Sequence, residues 1–465
     1  MNQNLQLDSL RAEIQKVTLD IVSLTEQRRK LVQQVAKEKL ANGIPLVNLD
    51  VEKNLRLAVI ERCQDEQLDP KAALRLLNQL IIDSVQKQEA ILESSTVPNA
   101  YSSLMKARDM ERTGRKVIHL EVGEPDFEPP ELVKTSLKEA LDLGYSKYSE
   151  SAGIADLREK IANHLNEIQN TNVSSDQVIV TPGARFAIVL SVLSRIQRGD
   201  EVIILDPSYP AYTDIVRESG GRTIHVPTFL ENDWIPNMDL VESRINESTK
   251  MMILNSPSNP TGKVLTRSTL QSLVDLAIEH DIQILSDEVY SRFTSAKHPS
   301  VLEFPECSQV FVDSFSKTYR MSGYRIGYAV SDVSSIQRMT QLQNIFLTSI
   351  PEFIQYAGLN ALDCKEDVER YAATIRQRRD HMCKLLRDLP LSFCQPDGGF
   401  YIFSKLETEK FDGVQFSEKL LEEQGVSVVP GIAYGSDYSH FFRISVCQPE
   451  KDLIKAAGCI KEVLQ

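Results

Sequence analysis

Lys317 is the residue whose neighbours in the chain point most specifically to chemistry. It ends the polar sequence Ser314-Phe-Ser-Lys317, although a lysine in a polar turn is more often a solvated surface residue. The apolar run IQIL is followed directly by SDEVY, with Asp287 and Tyr290, and the apolar run MMIL is followed by NSPSNPTG, with Asn259. Open α/β sheets bind ligands outside the carboxyl ends of their strands. We therefore expect an amine, a carboxylate and an amide to face one ligand, a set suited to covalent and proton-transfer chemistry.

A second segment has the pattern of an anion site. The sequence IVTPGARFAI indicates a strand, a turn and a helix. In that arrangement the backbone N–H groups near Gly183, Ala184 and Arg185 point at an anion, with the helix dipole behind them. An ordinary strand–helix turn has the same pattern, so this segment alone leaves both interpretations open. None of the seven histidines lies in these motifs, and no metal site is predicted.

Two cations interrupt an apolar stripe near the start of the chain. Apolar or seam positions recur at 10, 14, 17, 21, 24, 28, 31 and 35, which predicts a long helix with one buried face. Arg28 occupies one of these positions, and Lys39 lies about three turns further along the same face. Because an unpaired buried charge is costly, the two cations suggest an anionic ligand. The alternative is that Arg28 extends to solvent and Lys39 lies beyond the packed region.

Two regions of different composition must position these residues. Up to residue 93 the chain has one glycine and two prolines, and its pattern predicts three helices: a long one that ends before Gly43, one at about 50–64, and one from Pro70 to about Leu92. Three such helices cannot bury all of their apolar faces within one chain, so we expect an intertwined homodimer. From about residue 97 apolar runs such as EVIILDP alternate with helical patterns, which predicts a parallel sheet with crossover helices.

Length and composition limit the class of protein. The 465 residues carry a net charge of −13, and neither region is basic, which argues against nucleic-acid binding as the main task. We find no apolar run long enough to span a membrane and no signal-peptide pattern. The seven cysteines form no Cys-x-x-Cys pair. We expect a cytoplasmic protein without a nucleic-acid or membrane partner.

From about residue 100 to the C-terminus the chain resembles the class I/II, fold-type I aminotransferases, which use pyridoxal 5'-phosphate. The resemblance rests on the motifs above together with DPSYPAY, SKYSESAG, EVGEPDF and FFRISV. It implies that Lys317 forms the Schiff base with the cofactor aldehyde and then moves the proton. It also implies that Asp287 pairs with the pyridine nitrogen, that Tyr290 and Asn259 contact the phenolic oxygen, and that Tyr209 stacks on the ring.

The same resemblance assigns the two ends of the site. The residues implied to bind the cofactor phosphate are Gly183, Ala184, Arg185, Ser314, Arg325 and Tyr148, the last reaching across from the partner subunit. Arg443 is implied to grip the substrate α-carboxylate, with Gly123 giving close backbone approach and Asn259 beside it. Arg185 is also the candidate for a second, distal carboxylate; its alternative is a surface helix residue.

Residues 5–92 resemble the all-helical chorismate mutases through LDSLRAEI, EQRRKLVQQVAKEK, Glu52 and LIIDSVQKQ. The implied carboxylate-binding residues are Arg11, Arg28 and Ser84, with Arg11 acting in the partner's site. Lys39 and Gln88 are implied to contact the ether oxygen, and Glu52 the ring hydroxyl. The pattern departs from that family at Asn48 and Val51, where Asp and Arg are usual, so a domain that only binds a ligand or dimerises stays an alternative.

The expected protein is therefore a fusion. An all-α three-helix mutase domain (1–93) is followed by a linker (94–99) and an α/β aminotransferase (100–465). The aminotransferase has a large parallel or mixed-sheet domain at about 145–390 and a small α+β domain at about 100–144 plus 391–465. Both domains are expected to dimerise.

The joint activities point to the substrate. Because the mutase product is prephenate and no dehydration or dehydrogenase domain is evident, we expect amino transfer to prephenate, giving arogenate. The alternatives are an aromatic 2-oxo acid aminotransferase that acts on phenylpyruvate or hydroxyphenylpyruvate, a different pyridoxal reaction, and a transcription regulator. The amino donor, glutamate or aspartate, stays open.

Overall fold

The computed structural model describes residues 2–41, 49–94 and 100–465, and the chain divides into two compact units, Met1–Val97 and Pro98–Gln465. The first unit holds three helices, as predicted: α1 (Asn2–Ala41), α2 (Leu49–Asp65) and α3 (Pro70–Ser94). Asp69, the residue before α3, caps the helix: its side chain accepts a hydrogen bond from the Lys71 N–H at 2.9 Å. Residues 95–99 of the predicted linker (94–99) and Asn48 lie outside the described residues, whereas Ser94 ends α3.

The long helix of the first unit leaves its apolar face uncovered in the single chain. At 1.5 Å per residue α1 is about 60 Å long, whereas α3 is about 38 Å long. The buried side chains of this unit include Ala36, Cys63, Leu77 and Ile81. The predicted stripe is exposed at Leu10, Ile14, Val17, Ile21, Leu24, Leu31 and Val35.

The second unit is built around a seven-stranded sheet. Its strands follow the order β2-β8-β7-β6-β5-β3-β4, and all neighbours are parallel except at β8, which runs antiparallel to both β2 and β7. The sheet is therefore mixed. The unit also has a four-stranded antiparallel sheet, β12-β13-β10-β9, and the parallel pair β1-β11. In chain order the strands are β1 (Ile118–His119), β2 (Val178–Thr181), β3 (Glu201–Asp206), β4 (Arg222–Pro227), β5 (Thr249–Asn255), β6 (Gln283–Asp287), β7 (Gln309–Ser314), β8 (Gly327–Ser331), β9 (Leu391–Ser392), β10 (Tyr401–Leu406), β11 (Val426–Ser427), β12 (Val429–Pro430) and β13 (Phe441–Ser445).

Helices cover both faces of the large sheet, which explains its apolar strands. Strands buried on both faces read as continuous apolar runs, and β6 is buried at every residue. The helices of this unit are α4 (Ala100–Arg112), α5 (Glu131–Asp142), α6 (Ala155–Gln169), α7 (Ala184–Arg195), α8 (Ala211–Glu218), α9 (Met238–Ser243), α10 (Arg267–Glu279), α11 (Phe315–Thr318), α12 (Val333–Phe346), α13 (Glu352–Ala361), α14 (Lys365–Leu386), α15 (Gly413–Gln424) and α16 (Glu450–Leu464). No helix within the described ranges is both long and apolar enough to cross a membrane.

The register of the central strands brings the predicted site residues together. Asn255 at the end of β5 pairs with Asp287 at the end of β6. The next strand of the sheet is β7, which is parallel to β6 and ends at Ser314. Lys317 lies in the short helix α11 immediately after β7. The carboxyl ends of three adjacent parallel strands thus carry the amide, the carboxylate and the amine. The division of this unit into a large and a small domain stays a prediction.

Candidate active site

A cavity of about 570 Å³ opens at these strand ends. The predicted residues that line it are Gly123, Ala184, Arg185, Tyr209, Asn259, Asp287, Tyr290, Ser314, Lys317, Arg325 and Arg443. Tyr148 does not line it and is 86% exposed in the single chain. Tyr101 and Leu104 of α4, together with Tyr212 and Tyr401, also line the cavity and were not predicted.

Lys317 sits in the floor of this cavity. Its Nζ donates a hydrogen bond to the carbonyl oxygen of Gly123 at 2.7 Å, and it lies 5.9 Å from the centre of the Phe400 ring. Burial lowers the pKa of the Lys317 amine. A lysine with a lowered pKa is unprotonated more of the time at neutral pH, which is the form that attacks a carbonyl.

Asp287 faces the same cavity and is held by a residue that sequence reasoning missed. Tyr212 Oη donates to Asp287 Oδ2 at 2.7 Å, and the Val289 N–H reaches Oδ1 at 3.3 Å. Burial raises the pKa of Asp287 to about 6, and these two hydrogen bonds oppose the rise. The available signal was the second tyrosine of DPSYPAY, which lies one helical turn after Tyr209.

The turn before α7 forms one end of the cavity. Gly183 is the residue before the helix and has φ of 83°, a left-handed conformation that favours glycine. A Cβ atom here would lie 2.7 Å from Arg325 Nη2. The Gly183 N–H already donates to the carbonyl of Thr181 at 2.7 Å, so its contribution to an anion site is the turn itself. The N–H groups of Ala184 and Arg185 open the first turn of α7, where no earlier turn accepts them.

Arg325 and Ser314 flank that turn. Arg325 Nη1 donates to the carbonyl of Ser322 at 2.8 Å and Nη2 to that of Pro182 at 3.3 Å, which fixes the guanidinium beside Gly183. Ser314 Oγ accepts the Ser316 N–H at 3.0 Å at the start of α11. A helix N-terminus, an arginine and a hydroxyl thus converge as a cradle for a phosphate-sized anion.

Arg443 also lines the cavity and is 3% exposed. Its Nη1 donates to Asn259 Oδ1 at 2.9 Å, and its Nη2 donates to the carbonyl of Glu121. Its Nε has no hydrogen-bond partner within the described part of the chain. The guanidinium lies 4.2 Å from the centre of the Tyr401 ring. A Cβ atom on Gly123 would lie 1.7 Å from Tyr401 Oη, so only glycine fits there.

Arg185 borders the mouth of the cavity. It is exposed, donates to Tyr209 Oη and lies 5.6 Å from the centre of that ring. The Tyr209 and Tyr212 rings meet edge to face at 5.5 Å. A cation is therefore held on the cavity wall by a hydroxyl that a stronger acceptor, such as a carboxylate, can replace.

In the first unit the structure brings two predicted residues together. Arg28 Nη1 donates to the carbonyl of Leu80 at 2.7 Å and to Ser84 Oγ, and Ser84 is buried. Arg11 lies on the same helix roughly 25 Å from Arg28, too far to share a site within one chain. The side chains of Lys39, Glu52 and Gln88 lie outside the described residues.

Comparison with known proteins identifies both units. Residues 115–460 match the family model for aminotransferase class I and II, and residues 10–89 match that for chorismate mutase type II. An aspartate aminotransferase of Pyrococcus horikoshii is 34% identical over 355 residues, 75% of this chain and 91% of the relative. The chain belongs to the class I and II aminotransferases. Its N-terminal unit is a type II chorismate mutase domain, so the enzyme combines an isomerase domain with a transferase domain.

Two further relatives extend this aminotransferase assignment. Aromatic-amino-acid aminotransferase 2 of Thermococcus litoralis is 33% identical and covers 78% of this chain and 96% of its own length. The solved structure of Thermus thermophilus aspartate aminotransferase with maleate has a TM-score of 0.76 at 34% identity, covering 78% of this chain and 96% of that one.

Class I and II aminotransferases use pyridoxal phosphate, and the cavity of this aminotransferase fits it. The anion cradle at Gly183 suits a phosphate, and the buried carboxylate of Asp287 suits a protonated ring nitrogen. The amine of Lys317 lies in the same cavity and has a lowered pKa. Each kind of group that the cofactor needs is therefore present.

Proposed function

We propose that this enzyme rearranges chorismate to prephenate in its mutase domain and transfers an amino group to prephenate in its aminotransferase domain, giving arogenate. The observation that carries the substrate assignment is the presence of two arginines, Arg443 and Arg185, on the wall of the cavity that holds Lys317. Prephenate has two carboxylates, and its synthesis by the attached domain supplies it to the same polypeptide. Arg443 binds the carboxylate beside the reacting carbon, and Arg185 binds the distal one.

In the aminotransferase domain the residues of the cavity divide between holding the cofactor and moving the proton. The bound cofactor supplies an electron sink for the bonds at the substrate α-carbon. Lys317 binds the cofactor and then moves the proton at that carbon, and Asp287 holds the charge on the ring nitrogen. Tyr290 and Asn259, which line the cavity, would hold the phenolic oxygen, and Tyr209 would cover the ring. The turn at Gly183, Ala184 and Arg185 would bind the phosphate together with Ser314 and Arg325. Tyr148 of the partner subunit would complete this site.

In the mutase domain the protein needs no nucleophile. Arg28 and Ser84, which already touch, bind a carboxylate together with Arg11 of the partner. Lys39 and Gln88 place donors where negative charge grows on the breaking ether bond, and Glu52 holds the ring hydroxyl. The rate gain comes from fixing a flexible dianion in its reactive conformation.

We infer that the amino donor is a dicarboxylic amino acid, glutamate or aspartate. Arg185 would then serve the donor and the acceptor in turn, each through its distal carboxylate. The relatives named as aspartate aminotransferases support this inference, as does the Thermus enzyme solved with the dicarboxylate maleate.

A second candidate is amino transfer to an aromatic 2-oxo acid made by another enzyme. The aromatic side chains of Tyr101, Tyr209 and Tyr401 on the cavity wall favour it, as does the relative named for aromatic amino acids. Phenylpyruvate has one carboxylate, so this function would not need Arg185.

The test is Arg185→Ala, with kcat/KM measured for prephenate and for phenylpyruvate at a saturating amino donor. We expect kcat/KM for prephenate to fall roughly 10- to 150-fold, mainly through KM, because a charged hydrogen bond is lost. Phenylpyruvate should be little affected. Arg195→Ala, at the far end of the same helix, is the matched control. Equal losses for both acceptors would assign Arg185 to the phosphate turn and favour the aromatic keto acid function.

A further inference from the structure

Directly behind Asp287 lies a pair of buried titratable side chains, Glu288 and His298. Glu288 is 1% exposed and His298 is 4% exposed. Neither lines the cavity. Their nearest atoms, Glu288 Oε2 and His298 Nδ1, are 3.4 Å apart, and within the described residues neither atom has a hydrogen-bond partner.

The remaining contacts of Glu288 indicate which oxygen carries a proton. Oε1 accepts two hydrogen bonds, from Ser286 Oγ at 2.9 Å and from the Val301 N–H at 3.0 Å. Oε1 is thus bonded as the carbonyl oxygen of a carboxylic acid would be. Oε2 has no hydrogen-bond partner within the described residues and faces the ring nitrogen Nδ1 of His298 at 3.4 Å, so a proton on Oε2 would lie toward that nitrogen.

The electrostatic environment agrees with an uncharged pair. Burial raises the pKa of Glu288 to about 8 and lowers the pKa of His298 to about 4. Asp313 lies on the next strand and adds to the rise at Glu288, whereas the carboxylate of Glu303 opposes the fall at His298. Two charges at this depth would both lose their hydration.

The other ring nitrogen of His298 links the pair to the active site. His298 Nε2 lies 3.2 Å from Ser256 Oγ, which also accepts the Leu265 N–H at 3.1 Å. With Nδ1 as acceptor, Nε2 carries the hydrogen and donates to Ser256. The Ser256 N–H donates to the carbonyl of Asp287 at 3.2 Å.

Ser256 begins the turn that carries Asn259. The Asn255 side chain donates to the Asp287 carbonyl at 2.9 Å and accepts the Asn259 N–H at 2.7 Å. Asn259 Oδ1 in turn accepts from Arg443 at 2.9 Å. An unbroken set of contacts therefore runs from Glu288 through His298 and Ser256 to the groups that face cofactor and substrate.

We propose that Glu288 and His298 are positioning residues: they share one proton as an uncharged hydrogen-bonded pair that fixes the Ser256–Asn259 turn against Asp287. This inference rests on the proposed roles of Asn259 and Asp287. It assigns no contact with substrate to either residue. Its distinguishing consequence is that glutamine can replace Glu288, because an amide N–H donates to Nδ1 as the acid does, whereas alanine cannot.

The experiment compares Glu288→Gln, Glu288→Ala, His298→Ala and Asn259→Ala in the full-length holoenzyme. The readouts are the pH titration of the cofactor absorption band and kcat/KM for amino transfer. Because a displacement of about 1 Å costs roughly 100-fold in rate, we expect Glu288→Ala and His298→Ala to lower kcat/KM 10- to 100-fold. Both should shift the titration in the same direction as Asn259→Ala. Glu288→Gln should stay within about threefold of wild type in both readouts. Glu303→Gln, which removes a nearby carboxylate on the same loop, is the control and should leave both readouts unchanged.

Three outcomes would overturn the inference. If Glu288→Gln is as defective as Glu288→Ala while folded, the pair is ionic. If His298→Ala leaves both readouts unchanged while Asn259→Ala alters them, the pair does not position the turn. If Asn259→Ala itself changes nothing, the proposed role of Asn259 fails and this inference fails with it. If Glu288→Ala or His298→Ala does not fold, two other measurements test the pair. They are the activity of His298→Gln and long-range proton–nitrogen NMR of the histidine rings in the wild type. His298 should then keep a proton on Nε2 and none on Nδ1 at pH 6.

Discussion

Burial shifts the pKa values of Lys317 and Asp287, the two central groups of the aminotransferase cavity, in opposite directions. It lowers the pKa of Lys317 and raises that of Asp287 to about 6, so in the protein alone each group is displaced toward its neutral form. A cationic ring nitrogen opposite Asp287 would restore the carboxylate, and the Tyr212 hydroxyl already favours that charged form. The cavity is thus arranged for a charge that the cofactor brings.

The separation of the two activities is tested at Lys317. Lys317→Ala should abolish amino transfer and leave chorismate turnover unchanged, because the predicted sites have no residue in common. Both rates are measured on the same preparation, together with the absorption band of the cofactor bound to Lys317, which the variant should lack. Loss of both activities in a folded variant would contradict the two-site arrangement.

Arg28 tests whether the N-terminal unit is catalytic. Arg28→Ala should lower chorismate turnover about 10²- to 10³-fold, because it removes a charge-assisted contact to a substrate carboxylate. Thermal stability should change little. Arg29→Ala is the matched control, since the adjacent Arg29 is engaged by Asp83 through Nε at 2.9 Å on the exposed side. Unchanged turnover in Arg28→Ala would make the unit a binding or dimerisation module.

At the scale of elements, the parts that could be predicted are those specified by local pattern. The three N-terminal helices and five of the seven strands of the large sheet follow from periodicity and apolar runs. The strand ends at Asn255, Asp287 and Ser314 placed the site, because parallel strands align their carboxyl ends.

The parts that could not be predicted depend on contacts between distant residues. The hydrogen bond from Tyr212 to Asp287 spans 75 positions, and neither the direction of β8 nor the pairing of Glu288 with His298 has a local signal. The engagement of the Gly183 N–H by Thr181 is likewise a detail of turn geometry. Pattern locates elements, whereas packing decides which side chains meet.

One element contact predicts a pH dependence of stability. His119 on β1 is bonded through Nδ1 to Glu121 at 2.7 Å and through Nε2 to Glu111 of α4 at 3.2 Å. The Glu121 hydrogen bond, against partial burial, raises the pKa of His119 to about 9 from 6.5. Because the pKa of His119 is higher in the folded protein, protonated His119 stabilises the fold fully below pH 6.5. This stabilisation is lost as the pH rises to about 9.

We therefore expect the free energy of unfolding of the second unit to fall by about 1–2 kcal/mol between pH 6.5 and 9. This energy is smaller than the full pKa shift would give, because solvent screens a partly exposed side chain. Trp234, the one tryptophan in the sequence, lies buried in this unit and reports its unfolding in urea. His119→Gln should flatten the curve. An identical pH dependence in both proteins would exclude His119 as its source.

At the scale of the whole molecule, α1 presents an uncovered apolar face in the single chain. Leu24 is 63% exposed and Leu31 is 62% exposed, although both belong to the stripe that predicts a buried face. Arg11 and Arg28 share this helix but lie roughly 25 Å apart. We propose that a second copy covers the stripe, since a twofold arrangement would also bring Arg11 of one chain to Arg28 of the other.

Complementation between inactive chains tests this arrangement. Arg11→Ala and Arg28→Ala should each be nearly inactive as chorismate mutases when expressed alone. Co-expressed, half of randomly paired dimers are hybrids, and each hybrid regains one intact site of two, so about a quarter of wild-type turnover should return. Adding Leu24→Glu to both chains should remove the recovery, because it charges the stripe, whereas Leu19→Glu, equally exposed but off the stripe, should preserve it. If co-expression restores nothing while both variants are folded, Arg11 has no part in the partner's site, and α1 is covered in some other way.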